Sequence, residues 1–279
     1  MYTQRILAGF IILFGLAANQ VNAQLLIYPV RVAFDDTERS AEVNLTNTSD
    51  KTRTYRLEWR ENRALPERGY ATLSEEEAKN FPIASSMIRF SPRQVTLKPG
   101  ERQLIKLNLR RPRGLPEGEY RSHLLFKAIA NNDEETEVAA TGTKINIQLS
   151  FSIPVTVQQG AYDAQVMFEK ANIVYKPSDG SRSVSLDLVR KGLHSASGDL
   201  SAYWTPNGGK EFLLAKIADY NLWSELNEAQ APMISTSEEF TPADGQLRIL
   251  YEGVRDFKGN TYLDEVIRVN RGQIFIEEK

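Results

Sequence analysis

The residue types that most often catalyse reactions or bind metals are scarce in this chain. It has two histidines, His123 and His194, and no cysteine. A zinc site of nitrogen and sulfur ligands would need both histidines together with carboxylates from distant parts of the sequence. We therefore predict no metal site. We interpret His123, in the run RSHL, as a strand residue with an ordinary hydrogen bond.

Catalytic nucleophiles also lack a supporting sequence context. Serines are plentiful, but no G-x-S-x-G elbow places one of them beside a base. Carboxylates are scattered over predicted turns and strand exteriors, so no acid–base pair stands out. The sequence predicts a protein that is not an enzyme and that carries no cofactor. A secreted hydrolase is an alternative, which a cluster of perturbed titratable groups in one cleft would revive.

The most regular pattern is the alternation of apolar and polar residues over residues 143–157, TKINIQLSFSIPVTV. Side chains two residues apart on a strand point the same way. The apolar face of this strand contains Ile145, Ile147, Leu149 and Phe151. The segment is longer than the usual strand of about five or six residues. A strand longer than its own sheet needs is available for pairing with another chain.

Shorter alternating stretches recur along the chain, for example at residues 43–45, 55–59 and 105–109. Turn-forming residues bound each of them, as in the run LKPG at 97–100. Half-buried strands at this spacing are typical of antiparallel sandwiches. The one predicted helical turn covers residues 74–79, where a serine can cap the helix and a glutamate follows three positions later.

Two interruptions of the pattern suggest the domain organisation. Residues 131–137, NNDEETE, are too charged to repay their ordering by burial, so we expect a mobile loop there. Residues 158–161, QQGA, form the second break, after which the alternation restarts. We therefore predict two all-β domains, residues 24–157 and 161–279.

The start of the chain predicts export from the cytoplasm. Arg5 precedes an apolar run at residues 6–18, and Ala23 is small enough for a cleavage site. This pattern predicts a secretory signal peptide at residues 1–23. No later stretch has the roughly 18 apolar residues of a membrane span, so we expect no membrane insertion of the mature chain. The mixed charges, with a net charge of −2, give no indication of nucleic-acid binding.

Five motifs resemble, in order and spacing, the N-terminal domain of the periplasmic chaperones that assemble pili and fimbriae. They are VRVAFD at 30–35, FSPR at 90–93, LKPG at 97–100, LPEGEYRS at 115–122 and IPV at 153–155. Together they cover most of residues 26–157, and the second half is similar in pattern only. The resemblance implies two immunoglobulin-like β-sandwich domains in tandem and a location in the periplasm.

The resemblance also implies a mechanism. Pilus subunits of this kind lack their last strand, and the chaperone inserts its own strand into the gap, which is donor-strand complementation. The residues for that task are Ile145, Ile147, Leu149 and Phe151. An outer-membrane usher would be a further partner. A free edge strand could also pair with a second copy of the chain.

Chaperones of this family hold the C-terminal carboxylate of the subunit with two basic residues in the cleft between domains. Arg31, in the VRVAFD motif, matches the first, and its planar fork suits a carboxylate. A surface arginine paired with a neighbour is the alternative. The second is a lysine at the position that Leu149 occupies here. Lys144 is the nearest lysine on the strand and is the candidate, with a solvated strand-end lysine as its alternative.

A second class of function fits the same pattern. The chain could be a secreted structural or adhesive protein, whose two immunoglobulin-like domains bind a glycan or a protein through their loops. Residues 143–153 would then pack inside a complete sandwich, with a strand of the same sheet on each side. The pairing of this strand distinguishes the two classes.

Overall fold

The computed structural model of this chain describes residues 24–129, 149–235 and 237–276. Within these ranges, two β-sandwiches follow one another along the chain. The predicted signal peptide at 1–23, the charged loop at 131–137 and residues 143–148 of the alternating segment lie outside the described residues. None of the helices in these ranges has both the length and the apolar character needed to span a bilayer.

The first sandwich consists of short strands. They are β1 (Leu25–Tyr28), β2 (Val32–Phe34), β3 (Ser40–Asn47), β4 (Arg53–Arg60), β5 (Asn62–Ala64), β6 (Tyr70–Thr72), β7 (Ile88–Ser91), β8 (Gln94–Leu97), β9 (Arg102–Leu109), β10 (Gly118–Ile129) and β11 (Phe151–Gln159). One sheet has the order β1-β3-β9-β7, and the facing sheet has the order β2-β11-β10-β4-β8. β5 and β6 form a separate hairpin.

Alternating apolar residues of both sheets meet in the core of this sandwich. Val43 and Leu45 of β3 are fully buried. Tyr55 and Leu57 of β4, in the facing sheet, belong to the same core. The polar residues between them face solvent, as a strand with one buried face requires. The prediction of an all-β fold is therefore confirmed.

Turn residues end the strands as the sequence predicts. Asn47, the last residue of β3, donates from its side-chain amide to the carbonyls of Lys51 at 2.7 Å and Leu97 at 2.9 Å. Its own carbonyl accepts the N–H of Gly100 at 2.9 Å. Gly100 has a φ of 73°, in the left-handed region that favours glycine. The run LKPG thus forms the turn between β8 and β9.

The predicted helical turn is also confirmed. It is α1 (Glu75–Ala78), with Ser74 as its N-cap. The backbone N–H of Glu77 donates to the Ser74 hydroxyl at 3.3 Å, and the N–H of Ser74 donates to the Glu77 carboxylate at 2.8 Å. This reciprocal pair is a capping box, which satisfies two N–H groups that the short helix leaves free.

The second sandwich is formed by longer strands. They are β12 (Gln165–Tyr175), β13 (Arg182–Lys191), β14 (Ala196–Pro206), β15 (Phe212–Leu222), β16 (Glu228–Ile234), β17 (Gly245–Gly253), β18 (Thr261–Val269) and β19 (Ile274–Ile276). Its sheets have the orders β16-β13-β12-β19 and β15-β14-β17-β18. The fold is thus two immunoglobulin-like sandwiches in tandem, as predicted.

Trp204 is the largest side chain in the core of the second sandwich. It is buried on β14 and packs edge-on against Phe240, with ring centroids 5.3 Å apart. Leu247 and Ile249 of β17 are fully buried beside it, in the alternation that the sequence shows. Each sandwich therefore has a core of its own, large enough to hold a fold that contains no disulfide.

The β5–β6 hairpin leaves the first sandwich and packs on the second. Ala64 of this hairpin is buried in the core of the second sandwich. The Pro66 carbonyl accepts the N–H of Gln230 at 3.0 Å, and the Tyr70 hydroxyl accepts the indole N–H of Trp223 at 3.0 Å. The sequence pattern did not predict this contact, because strands of three residues carry no detectable period.

The connection between the sandwiches is short. β11 ends at Gln159, and β12 begins at Gln165. Gly160 between them has a φ of 86°, which lets the chain turn directly after the strand. The division at residues 157 and 161 drawn from the sequence stays a prediction, and β11 continues past its first limit.

Candidate functional site

Among the described residues, β11 is paired along its whole length on one side only. β10 runs antiparallel to it from Gly118 opposite Gln159 to Phe126 opposite Phe151. On the other side, β2 runs parallel to it and pairs with residues 155–157 alone. Among the described residues, no strand pairs with residues 151–154 on that second side. We call this unpaired side of residues 151–154 the open edge.

An apolar stripe runs along β11 and leaves the core at its N-terminal end. Val157, Val155 and Ile153 are buried in the first sandwich. Phe151 is partly buried against the same core, and Leu149 is 48% exposed. These residues alternate, so they share one face of the strand. Exposure of the stripe therefore increases towards its N-terminal end, before the residues of the open edge.

The predicted strand over residues 143–157 needs correction in its described part. β11 begins at Phe151, and Leu149 and Ser150 precede it without strand pairing. The Ser150 hydroxyl accepts the N–H of Ala128 at 3.3 Å, so this side chain takes a donor that a continued ladder would use. At its other end the strand continues to Gln159. Lys144, Ile145 and Ile147 lie outside the described residues.

One sequence signal for the open edge was missed. Pro154 lies within β11, opposite His123 of β10. Proline has no backbone N–H, so within a sheet it is confined to edges, strand starts and bulges. Its position at residue 154 is consistent with a strand that has only one partner there.

Arg31 lies in the cleft between the two sandwiches. Its guanidinium donates to the Asn221 side-chain oxygen. It also stacks on Trp223 and Phe257, with ring centroids 5.2 and 5.7 Å from the guanidinium carbon. Burial lowers the pKa of Arg31, and the carboxylate of Glu119 opposes that shift. The side chain stays cationic at neutral pH, because arginine keeps its proton in proteins.

A cavity of about 250 Å³ connects Arg31 to the open edge. Both sandwiches contribute to its lining, which we call the cleft cavity. Its polar and strand residues include Arg31, His123, Ser152, Pro154, Asp219 and Arg255. The cleft cavity thus places a cationic side chain beside the segment of β11 that has no second partner strand among the described residues.

His123 is the least expected residue of the cleft cavity. It is 2% exposed, and neither ring nitrogen has a hydrogen-bond partner within the described residues. Its ring meets Tyr70 edge-on, with centroids 4.8 Å apart. Burial lowers the pKa of His123 to about 3, and the charges of Arg121 and Arg60 act in the same direction. His123 is a strand residue as the sequence indicates, but the ordinary hydrogen bond is wrong within the described residues, since neither ring nitrogen has a partner there.

Arg255 is a second cation at the cleft cavity. Its guanidinium lies 2.6 Å from the Asp219 carboxylate and is about half exposed. The residue has a φ of 53°, in the left-handed region. Sequence reasoning did not select it, since a lone arginine in a short turn after β17 carries no pattern.

A buried ion pair connects the two sandwiches beside the cleft cavity. The Arg121 guanidinium of β10 contacts both carboxylate oxygens of Glu225, at 3.0 and 2.5 Å. It also lies over the Trp223 ring, 4.2 Å from the centroid. Glu119 of the same strand accepts the Ser195 hydroxyl. These contacts hold the second sandwich against the strand that neighbours the open edge.

Several solved structures are similar to this chain over most of its length. A Class 5 fimbriae chaperone, CfaA, is 12% identical with a TM-score of 0.45, covering 87% of this chain and 98% of its own. The YadV chaperone is 12% identical with a TM-score of 0.44, covering 88% and 100%. The chain resembles fimbrial chaperones.

A third similar structure comes from Acinetobacter baumannii. It is the CsuC–CsuE chaperone–tip adhesion subunit pre-assembly complex of archaic chaperone-usher Csu pili, 16% identical with a TM-score of 0.43, covering 92% and 100%. No protein-family model matches the sequence, and no curated protein matches it.

Proposed function

We propose that this protein is a periplasmic chaperone that binds secreted pilus or fimbrial subunits by donor-strand complementation. One observation carries the proposal: the apolar stripe of β11 leaves its own core along an edge that no described strand covers. Such an edge presents backbone N–H and C=O groups that a strand of another chain can pair with.

The stripe supplies the side chains for this pairing. Phe151 and Leu149 continue the row of core residues past the end of the first sandwich. A subunit that lacks one strand has a groove where its own core is exposed to water. Insertion of the row into that groove buries apolar surface on both partners, and the strand ladder adds hydrogen bonds that do not depend on side-chain identity. Ile147 and Ile145 would extend the row.

The cleft cavity is the proposed site for the C-terminal carboxylate of the subunit. Arg31 lines it and remains cationic, and Ser152 and Pro154 place the open edge next to it. A subunit strand that pairs with the open edge would bring its end towards this arginine. Lys144 stays the candidate from the sequence for a second basic contact.

The remaining parts of the proposal concern location and partners. We propose that residues 1–23 are a cleaved signal peptide and that the mature chain acts in the periplasm, without catalysis. The subunit would then pass to an outer-membrane usher for assembly. An open edge can also pair with itself, so we propose a dimer of the unliganded protein. Static light scattering tests this last point, and a monomer at all concentrations would contradict it.

The alternative of an adhesive or structural protein requires β11 to be an internal strand. Residues 151–154 have β10 on one side and no described strand on the other. This favours the chaperone over the alternative.

Hydrogen exchange with a candidate subunit tests the proposed function. The candidate subunit would be a small secreted β-rich protein with an alternating N-terminal extension, sought among the neighbouring reading frames. We expect the amides of residues 149–154 that are not bonded to β10 to exchange fast in the free protein and to become protected when the subunit is added. The matched internal control is β17, which lies between β14 and β18 and should be slow in both states. Protection of these open-edge amides before the subunit is added would contradict the proposal.

A further inference from the structure

His123 has a hydrogen-bonding capacity that the described fold does not use. The side chain is buried at the wall of the cleft cavity, and both ring nitrogens lack a partner among the described residues. A buried polar group without a hydrogen bond destabilises the folded state. Buried polar groups are therefore nearly always paired, with protein, water or a ligand. A group left unpaired at a cavity wall points to a ligand that pairs with it.

The charges around the cavity select an anionic ligand. Arg31 and Arg255 contribute two positive charges, and Asp219 contributes one negative charge. Arg255 and Asp219 are 2.6 Å apart and neutralise each other. Among the described lining residues, no further carboxylate balances Arg31, so its charge can attract an anion, although the Glu119 carboxylate outside the lining also acts on it. Nη2 of Arg31 donates to the Asn221 side chain, and the stacked rings of Trp223 and Phe257 hold the guanidinium in place.

The protonation state of His123 makes it a donor of one hydrogen bond. Its lowered pKa, about 3, keeps the ring neutral at neutral pH, with one N–H and one bare nitrogen. A carboxylate has two oxygens that both accept hydrogen bonds, so it can accept from an arginine and from a neutral imidazole at once. A cavity of about 250 Å³ has room for such a group, since a water molecule occupies about 30 Å³ in the liquid.

We propose that His123 is the second contact to the carboxylate in the cleft cavity, where it donates a hydrogen bond to the oxygen that Arg31 does not hold. The inference rests on the proposed function for its natural ligand, the terminal carboxylate of a bound pilus subunit. It replaces the lysine that the strand lacks at Leu149 by a residue of the neighbouring strand, β10. Lys144 is not needed for this contact.

Acetate is the probe for the test. The chain has only two histidines, so ¹⁵N-histidine labelling of the full mature protein gives two ring systems in a long-range ¹⁵N–¹H spectrum. His194 is the internal reference, because its Nδ1 bonds to Asp163 Oδ1 at 2.7 Å, outside the cleft cavity. We expect acetate, titrated at pH 7 into the high millimolar range, to shift the His123 nitrogens. The His194 nitrogens should stay in place, and neither acetamide nor chloride at equal ionic strength should reproduce the shift.

Substitutions give the second readout. His123→Phe keeps an aromatic ring and removes the donor, and His123→Gln keeps an N–H group. We expect His123→Phe to weaken acetate binding about ten-fold, because a hydrogen bond to a charged group is lost. The shifts of the backbone amide signals of Arg31 and Ser152 measure this binding. His123→Gln should retain part of the affinity. If His123→Phe does not fold, the acetate titration of the unsubstituted protein still tests whether His123 contacts the carboxylate.

The outcomes separate this inference from the proposed function. A shift of the Arg31 amide by acetate, with unmoved His123 nitrogens, overturns the role of His123 and leaves strand donation intact. A response of neither residue also overturns it. A His123 response in a protein whose residues 149–154 never gain protection from a subunit supports the carboxylate site and contradicts the chaperone function.

Discussion

Leu149→Asp is the perturbation that most directly separates strand donation from ordinary packing. Leu149 is 48% exposed and lies before the first residue of β11, so it contributes little to the core of the free protein. When a subunit is bound, the proposed function buries the exposed half of this side chain. The substitution should therefore weaken binding and leave the stability of the free protein nearly unchanged.

The magnitude follows from the exposed fraction. Full burial of a leucine side chain contributes about 1.5–3 kcal/mol, so the 48% that is still exposed corresponds to about 0.7–1.4 kcal/mol. Leu149→Ala should thus raise Kd roughly three- to ten-fold. In Leu149→Asp the carboxylate would also be moved from water into an apolar groove without a partner, which adds several kcal/mol. We expect a loss of at least about 100-fold.

The assay is titration calorimetry, or competition for the co-purified subunit, with each variant compared at equal concentration. One control matches the substitution. Ile234→Asp places the same charge on a strand residue that is 79% exposed on β16 of the second sandwich. This control should bind the subunit like the unsubstituted protein.

Two results would refute the reasoning. Unchanged binding by Leu149→Asp would show that this face of the segment does not enter the subunit. Equal weakening by Leu149→Asp and Ile234→Asp would point to a general effect of an added negative charge. Thermal unfolding of each free variant is the check that the fold is retained.

Three further predictions concern stability. The lowered pKa of His123 means that the unfolded chain takes up a proton near pH 6.5 while the folded chain does not, so the stability present above pH 6.5 is lost as the pH falls towards 3. We expect urea unfolding to give on the order of 2 kcal/mol less stability at pH 5 than at pH 7. In His123→Phe this contribution to the loss should be absent. Arg121→Met removes the charged partner of Glu225, whose carboxylate is 14% exposed and keeps the hydrogen bond from the Ala64 N–H, and should cost about 3 kcal/mol, the lower end for a buried pair. The double variant Arg121→Met, Glu225→Leu should lose less. Equal losses in a double-mutant cycle would argue against the ion pair. Trp204→Ala removes the buried ring that packs on Phe240 and should lower the free energy of unfolding, followed by circular dichroism, by about 3–5 kcal/mol. A change below about 1 kcal/mol would mean that neighbouring side chains fill the cavity.

The strand content of this fold could be predicted because its strands have one buried face. Val43 and Leu45 alternate with polar residues that face water, and this alternation is visible in the sequence. The capping box at Ser74 was equally local, since it needs only residues three positions apart. The β5–β6 hairpin could not be predicted, because its contacts with Gln230 and Trp223 join distant parts of the chain.

Part of the candidate site could likewise be predicted from the sequence, and part could not. The alternation that contains Leu149 and Phe151 is visible in the order of residues and predicts the apolar stripe. The start of β11 at Phe151 depends on a hydrogen bond between Ser150 and Ala128, which no period reveals. Arg31 was selected through a family resemblance, and its role in holding a carboxylate stays a prediction.

The order of residues determined by itself that this protein is built of half-buried strands and that one apolar row is longer than a usual strand needs. Those properties depend on neighbours along the chain, so local spacing is sufficient to encode them. Only the tertiary structure decided that, among the described strands, β11 has a second partner at residues 155–157 alone and that His123, Arg31 and Arg255 line one cavity. Strand pairing and cleft charges arise between segments far apart in sequence, where the energy depends on distances and burial that no local pattern contains.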